Sequence, residues 1–313
     1  MATTGIHPQR SFWQRVGDFW ARHGFAISLL VPCTIYMLFF LVVIGFYLLR
    51  LSLTHRVSIV EEQFPSIQNY ITLATSSQFR EALGRTIIFV LVGTPLQLIA
   101  GLVLAMLINR SFAGRGLVRS VFLLPVAIPA LVTATVVAFM LFTYPFGHVN
   151  DLLIGRLFPF LPQFVQEPVN WYTSPYLALG LSLFAKVWRD MPISMLILLA
   201  GLQSISVDQY EAAESMGSSG WQRFWYITIP MLVPAISTVL VLRSIEVWKE
   251  FIFPFVIAPT FPILGVMMDH VYHDQRNPPL AATIGVMLVI LILLTRWLLS
   301  FITEKVRAYL VKI

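Results

Sequence analysis

Twenty-six consecutive residues, Gly24 to Leu49, carry no charge. An apolar helix of about 20 residues spans the hydrocarbon core of a bilayer. Thr86–Ile108 and Val121–Phe142 repeat the pattern over 23 and 22 residues. Three more apolar segments are read at about Tyr176–Ala200, Pro230–Ile257 and Ala281–Ile302, the fourth and fifth interrupted by charges. Only 12% of the 313 residues are charged, against 58% hydrophobic. That is about half the charge of a soluble domain, too little to cover a water-facing surface. No strand-length alternation recurs, which argues against a transmembrane barrel. The expected fold is therefore all-α: a polytopic membrane protein of six transmembrane helices.

Composition excludes further classes. One cysteine, Cys33, allows neither a disulfide framework nor a cysteine-rich metal site. A net charge of +6, scattered along the chain, is no nucleic-acid footprint, so no nucleic-acid partner is expected. His270 and His273 with Asp269 and Asp274 are the nearest approach to a metal cluster, but they follow a span and face water, so no metal is expected. No nucleophile–base pair stands out, and no catalytic residue is assigned.

The first apolar stretch is too long for a secretory signal and has no small-residue cleavage site after it, so it is read as a retained span. Residues 1–23 are expected to form an N-terminal segment in which Ser11–His23, with Trp13, Phe19 and Trp20, reads equally as an interfacial helix or a loose tail. Residues 24–302 would form the transmembrane domain and 303–313 a tail. Six spans put both ends on one side. With that side inside, ten Lys/Arg lie in the inner segments, from Arg10 to Lys312, and six in the outer ones, which favours cytoplasmic termini.

The segment of about residues 201–230, between the fourth and fifth spans, is unlike the others. Ser206 with Gln209 has the capping-box pattern, Gln209–Met216 is good helix sequence, and Gly217 stands where a helix would end in a left-handed turn. A second short helix is expected from about Ser218 or Ser219 through Trp221, Phe224 and Ile227. Pro230 then opens the fifth span.

These residues carry a resemblance. Glu211-Ala212-Ala213, Gly217 after three further residues, then Ile227, Ile229 and Pro230 match the EAA motif of permease subunits of ATP-binding-cassette (ABC) importers. Phe79 with Ala82-Leu83, Pro95-Leu96-Gln97-Leu98, Arg115-Gly116 with Arg119 before Leu123-Leu124-Pro125, and Leu198-Leu199-Ala200-Gly201-Leu202-Gln203 resemble the carbohydrate (maltose/glycerol-phosphate) branch. So does Trp248-Lys249-Glu250-Phe251 with Pro254, except that Lys249 replaces the usual Asn. The branch's Gly-Gly-Pro outer loop is replaced by Ala258–Gly265, which leaves the finer substrate assignment open. The resemblance implies a cell inner-membrane permease for a sugar, glycoside or polyol. It implies as partners a second permease subunit, homologous or identical, two cytosolic ATPase subunits, and an extracellular or periplasmic solute-binding protein, besides membrane lipid. The chain lacks a phosphate loop, so it should bind no cofactor; ATP and Mg would sit on the ATPase subunits. Glu211, Ala212, Ala213, Ser215, Met216 and Gly217 would form the ATPase-coupling surface, with Glu211 offering a charge-assisted hydrogen bond.

Charges inside the fifth span remain ambiguous. On a continuous helix Arg243, Glu246, Lys249 and Glu250 share one side and should pair with one another or face water. With Trp188 and Trp248 they read either as a polar wall of the substrate path or as a structural ion-pair network. Lys186, Arg189 and Asp190 in the fourth span have the same two readings. The rival classes are an ABC permease for a non-carbohydrate solute and an ion-coupled secondary transporter, although the internal repeats favoured by the latter are not evident.

Overall fold

The computed structural model describes residues 12–57, 61–158, 160 and 162–310. The readings placed on residues 1–11, His7, Arg10 and Ser11 among them, and on Lys312 of the tail lie outside the described residues. The chain is helical almost throughout. The first helix, α1 (Phe12–Ser52), leads to a two-residue hairpin of β1 (His55–Arg56) and β2 (Glu62–Gln63). There follow α2 (Gln68–Thr75), α3 (Ser77–Asn109), α4 (Arg115–Ala127), α5 (Ala130–Val136) and α6 (His148–Leu153). The second half comprises α7 (Pro175–Gln203), α8 (Val207–Ser215), α9 (Gly220–Arg223), α10 (Ile229–Trp248), α11 (Ile252–Ile257), α12 (Leu264–His273) and α13 (Pro278–Leu310). Among the described residues four helical stretches are long and apolar enough to cross a membrane, Trp20–Ser52, Ser77–Asn109, Gly220–Trp248 and Pro278–Tyr309. The number rises to six if two bent helix pairs each count as one span.

Ser11–His23 falls largely within α1: from Phe12 onward it is helical and continuous with the first apolar run, with Trp13 and Trp20 exposed. None of the most apolar part of α1 is buried within the chain. The packed centre is built by α3, α7 and α10. Here small residues let backbones approach, as association inside lipid requires. A Cβ on Gly101 would lie 2.5 Å from that of Ser194, and one on Gly93 would lie 2.7 Å from the Leu183 side chain. Gly101→Ala is therefore expected to cost about 1–3 kcal/mol by overpacking, seen as a lower melting temperature of the detergent-solubilised chain. An unchanged melting temperature would show that α3 and α7 can slide apart freely.

Two of the six expected spans differ from the continuous helices read from the sequence. The third is not straight over Val121–Phe142: α4 and the Ala130–Leu141 helix meet at 91°. Pro129 forces Ile128 into extended backbone (φ −77°, ψ 129°), which no helix can pass through. Beyond α5 the backbone widens to a π turn over Val137–Leu141. The fifth span stops at Trp248 instead of running to Ile257. Pro254 lacks the amide that would have bonded the Glu250 carbonyl. Gly265 packs directly on that freed carbonyl, where any Cβ would collide with it.

Candidate functional site

The loop after α7 is a pair of short helices, and each bond in it has a local cause. Ser206 caps α8, but its Oγ accepts from the Asp208 amide (3.2 Å) instead of completing a box with Gln209. The capping box occurs one helix later. Ser219 Oγ accepts from the Gln222 amide (3.3 Å), and Gln222 Oε1 accepts from the Ser219 amide (2.8 Å). Between them Gly217 turns at φ +80°, and the Ser218 amide returns to the Ala213 carbonyl at 3.0 Å. Such a left-handed residue strongly favours glycine. Pro230 removes the next helical amide, and a π turn over Phe224–Thr228 carries the chain into α10.

Two contacts fasten the halves together. Glu214 Oε2 lies 2.8 Å from Arg223 Nη1, and the Tyr210 hydroxyl is 3.0 Å from Thr228 Oγ1. Of the six residues read as a coupling surface, Ala213 is buried in the loop's own packing. Glu211, Ala212, Ser215, Met216 and Gly217 are exposed. The Ser215 hydroxyl is spent on the Glu211 carbonyl (2.9 Å), while the Glu211 carboxylate forms no ion pair among the described residues. The axis of α8 is bent 65° from α7. The assembly is a short, cross-braced elbow joined to two long helices.

The intramembrane charges divide into two groups. Arg243, only 2% exposed, pairs within its own helix with Glu246 (2.7 Å), whose side chain is 41% exposed. Glu250 does not lie on that helical face. The break after Trp248 turns its buried carboxylate toward α7, where Oε2 is 2.5 Å from Lys186 Nζ. Lys186 also meets Asp190 at 3.0 Å, and Asp190 holds Arg189 at 2.7 Å. Trp248 is buried with its indole N–H donated to Thr295 Oγ1 (3.0 Å), whereas Trp188 is 40% exposed and Lys249 is exposed.

This network has a job that pairing alone does not express. Unsatisfied backbone groups are costly in a membrane interior. Arg189 Nε donates to the Ile128 carbonyl (3.1 Å), the group freed at the break between α4 and α5. Glu250 Oε1 accepts from the amides of Phe251 (3.1 Å) and Phe253 (3.3 Å), freed at the break between α10 and α11. Arg189 of α7 thus satisfies the first interruption, and Glu250, held by Lys186 of α7, satisfies the second. Lys186 and Glu250 are 64 residues apart, so helical periodicity had no means of pairing them.

Among the described residues no group of three or more His, Cys, Asp or Glu is placed to hold a metal. His273 instead pairs with Asp269 at 2.8 Å.

Comparison with known proteins decides the family. The model of binding-protein-dependent transport system inner membrane components matches residues 97–308, more than half the chain. The chain belongs to that family. It is a family of transport permease subunits, not of enzymes, and of the inner membrane. Among the relatives is the trehalose/maltose transport system permease of Thermococcus litoralis, 34% identical over 195 residues. That alignment covers 62% of this chain and spans only 62% of the relative's length. The sulfoquinovosyl glycerol transport system permease of Agrobacterium fabrum is 30% identical over 277 residues, 86% of this chain and 84% of that one. In fold, the chain resembles a subunit of a bacterial alginate ABC transporter solved with its pentasaccharide-bound periplasmic protein. The TM-score is 0.77 at 20% identity, over 95% of this chain and 99% of that chain.

Proposed function

We propose that this permease moves a sugar, glycoside or polyol across the inner membrane as part of an ABC importer. A solute-binding protein delivers the substrate from outside. A second permease subunit completes the pathway, and two cytosolic ATPase subunits carry the ATP and Mg. The bent pair Arg115–Leu141 supplies the third of six spans and α7 the fourth, with α8 outside the bilayer, and both termini are cytoplasmic. The observation that carries the reading is the braced elbow. It presents Glu211, Ala212, Ser215 and Met216 to solvent at the end of two long helices, where a separate motor subunit would grip it. When the ATPase pair closes, a stiff elbow transmits the motion to α7 and α10, whereas a soft one would absorb it.

A carbohydrate substrate is favoured by the permease relatives named for trehalose/maltose and for sulfoquinovosyl glycerol. The polar groups left available for it are Trp188, Glu246 and Lys249. Arg243, Trp248 and Glu250 are buried and bound to groups of the protein, and Arg243 holds Glu246. Uptake of radiolabelled disaccharides by cells with and without the gene tests the class. Gene-dependent uptake competed by sugars is expected, and uptake competed only by amino acids, peptides or phosphate would overturn it. Trp188→Ala is expected to raise the apparent KM several-fold, since stacking on an aromatic face contributes about 0.5–1.5 kcal/mol. Stimulation of ATP hydrolysis by the loaded binding protein should remain intact. A loss of that stimulation with an unchanged KM would assign Trp188 to packing.

A further inference from the structure

The inner halves of α10 and α13 do not close on each other. Trp248 and Thr295 join the two helices by a hydrogen bond. Toward the end of the bundle from which the elbow projects, they part around a groove of about 420 Å³. One wall is a single face of α10, apolar at Val233, Pro234, Val241 and Leu242, with Ser237 and Thr238 between them. The other is a stripe of α13 made by Arg296, Ser300, Thr303, Glu304 and Arg307.

The chemistry of that stripe is unspent. Neither Arg296 nor Arg307 forms an ion pair among the described residues, although both belong to a helix that spans apolar surroundings. The Ser300 hydroxyl has no protein partner there either, while Ser237, Thr238 and Thr303 donate to carbonyls of their own helices. Glu304 is the one carboxylate on the groove, so its lining carries a net positive charge. The adjoining face of α13 marks the depth. Trp297 stacks on Phe301 (centroids 5.9 Å apart), and Lys305 Nζ lies 4.5 Å over the Phe301 ring. Exposed Trp beside Lys is the composition of the headgroup level. A charged side chain facing lipid near that level needs an anion or water.

We infer that this groove binds an anionic phospholipid, its phosphodiester held between Arg296 and Arg307 and an acyl chain lying along the apolar face of α10. A basic recess between spans at headgroup depth suits a lipid phosphate, which the bilayer delivers at high local concentration. The acyl chain distinguishes it from free phosphate, because the Val233–Leu242 wall offers a soluble anion nothing. The lipid would tie the entry of α10, directly after the elbow, to the last span.

Native mass spectrometry of the full-length chain, delipidated and titrated with phosphatidylglycerol or phosphatidylcholine, tests this. The wild type is expected to retain phosphatidylglycerol preferentially, and Arg296→Gln/Arg307→Gln to lose about fivefold in that preference for each arginine removed. Ser237→Leu/Thr238→Leu keeps both arginines and fills the groove. It should weaken retention too, and it decides the matter if the charge variant does not fold. Equal retention of the two lipids by the wild type, or an unchanged preference in the variants, would overturn the proposal. So would displacement of phosphatidylglycerol by millimolar inorganic phosphate. Self-crosslinking of a Ser237→Cys/Thr303→Cys chain lacking Cys33 would overturn it as well, by showing a second copy in the groove.

Discussion

Gly217→Val is expected to abolish uptake while the chain still inserts and is extracted in normal amount. Gly217 sits at φ +80° with open space where a Cβ would go. The variant therefore meets no clash, only a backbone cost of about 1–2 kcal/mol for a left-handed L residue. That strain is relieved by opening the turn between α8 and α9, which changes the angle of the elbow without unfolding the spans. Gly217→Asn is the control, since Asn tolerates this conformation, and it should keep most of the uptake. Glu211→Lys should fail for a different reason: it reverses the charge of an exposed carboxylate that has no ion-pair partner among the described residues. Transport assays with the ATPase subunit co-purified on the tagged permease separate the cases. Normal uptake in both Gly217→Val and Glu211→Lys would remove the loop from the mechanism.

The second large effect is expected at Lys186. Lys186→Met leaves Glu250 buried with no cation, and removal of one partner of a buried pair costs about 3–5 kcal/mol. Lys186 is 3% exposed and Glu250 9%, so water has little access to compensate. Glu250→Gln should be milder, because the amide oxygen still accepts from the Phe251 and Phe253 amides. Glu250→Leu loses those bonds as well and should be worse than Gln. The double variant Lys186→Met/Glu250→Gln should be more stable than Lys186→Met alone, since Asp190 keeps Arg189. Thermal denaturation in detergent measures this cycle, whose coupling term isolates the pair. Strict additivity would show that the two side chains do not depend on each other. An altered apparent substrate affinity of Glu250→Gln at unchanged stability would return Glu250 to the substrate path.

Much of this was legible in the residues because lipid imposes a coarse grammar. Runs such as Gly24–Leu49 and Thr86–Ile108 announce helices by length alone. The elbow was legible because its signals are local: Ser206, Gly217 and Pro230 each act within one turn of themselves. The capping box was misplaced between two similar serines, as Ser206-x-x-Gln209 and Ser219-x-x-Gln222 read alike and only geometry separates them. The breaks at Ile128 and after Trp248 were missed although Pro129 and Pro254 were visible. A proline within an apolar run can sit inside a spanning helix without ending it, as Pro95 and Pro192 do in α3 and α7, and a break in such a run needs a side chain to satisfy the freed groups. Arg189 does so across 61 residues of sequence, and Glu250, which bonds the nearby Phe251 and Phe253 amides, is itself held by Lys186 across 64. The helical wheel that placed Glu250 beside Arg243 and Glu246 assumed continuity that Pro254 denies.

In the proposed importer the elbow meets a motor subunit on the cytoplasmic side. The most direct measurement places a photo-crosslinking residue at Met216, which is 82% exposed, in cells expressing the complete transport system. The account predicts a covalent adduct with the ATPase subunit, lost in the Glu211→Lys background. An adduct with the solute-binding protein, or labelling of a cysteine at this position by a membrane-impermeant reagent added outside intact cells, would contradict it.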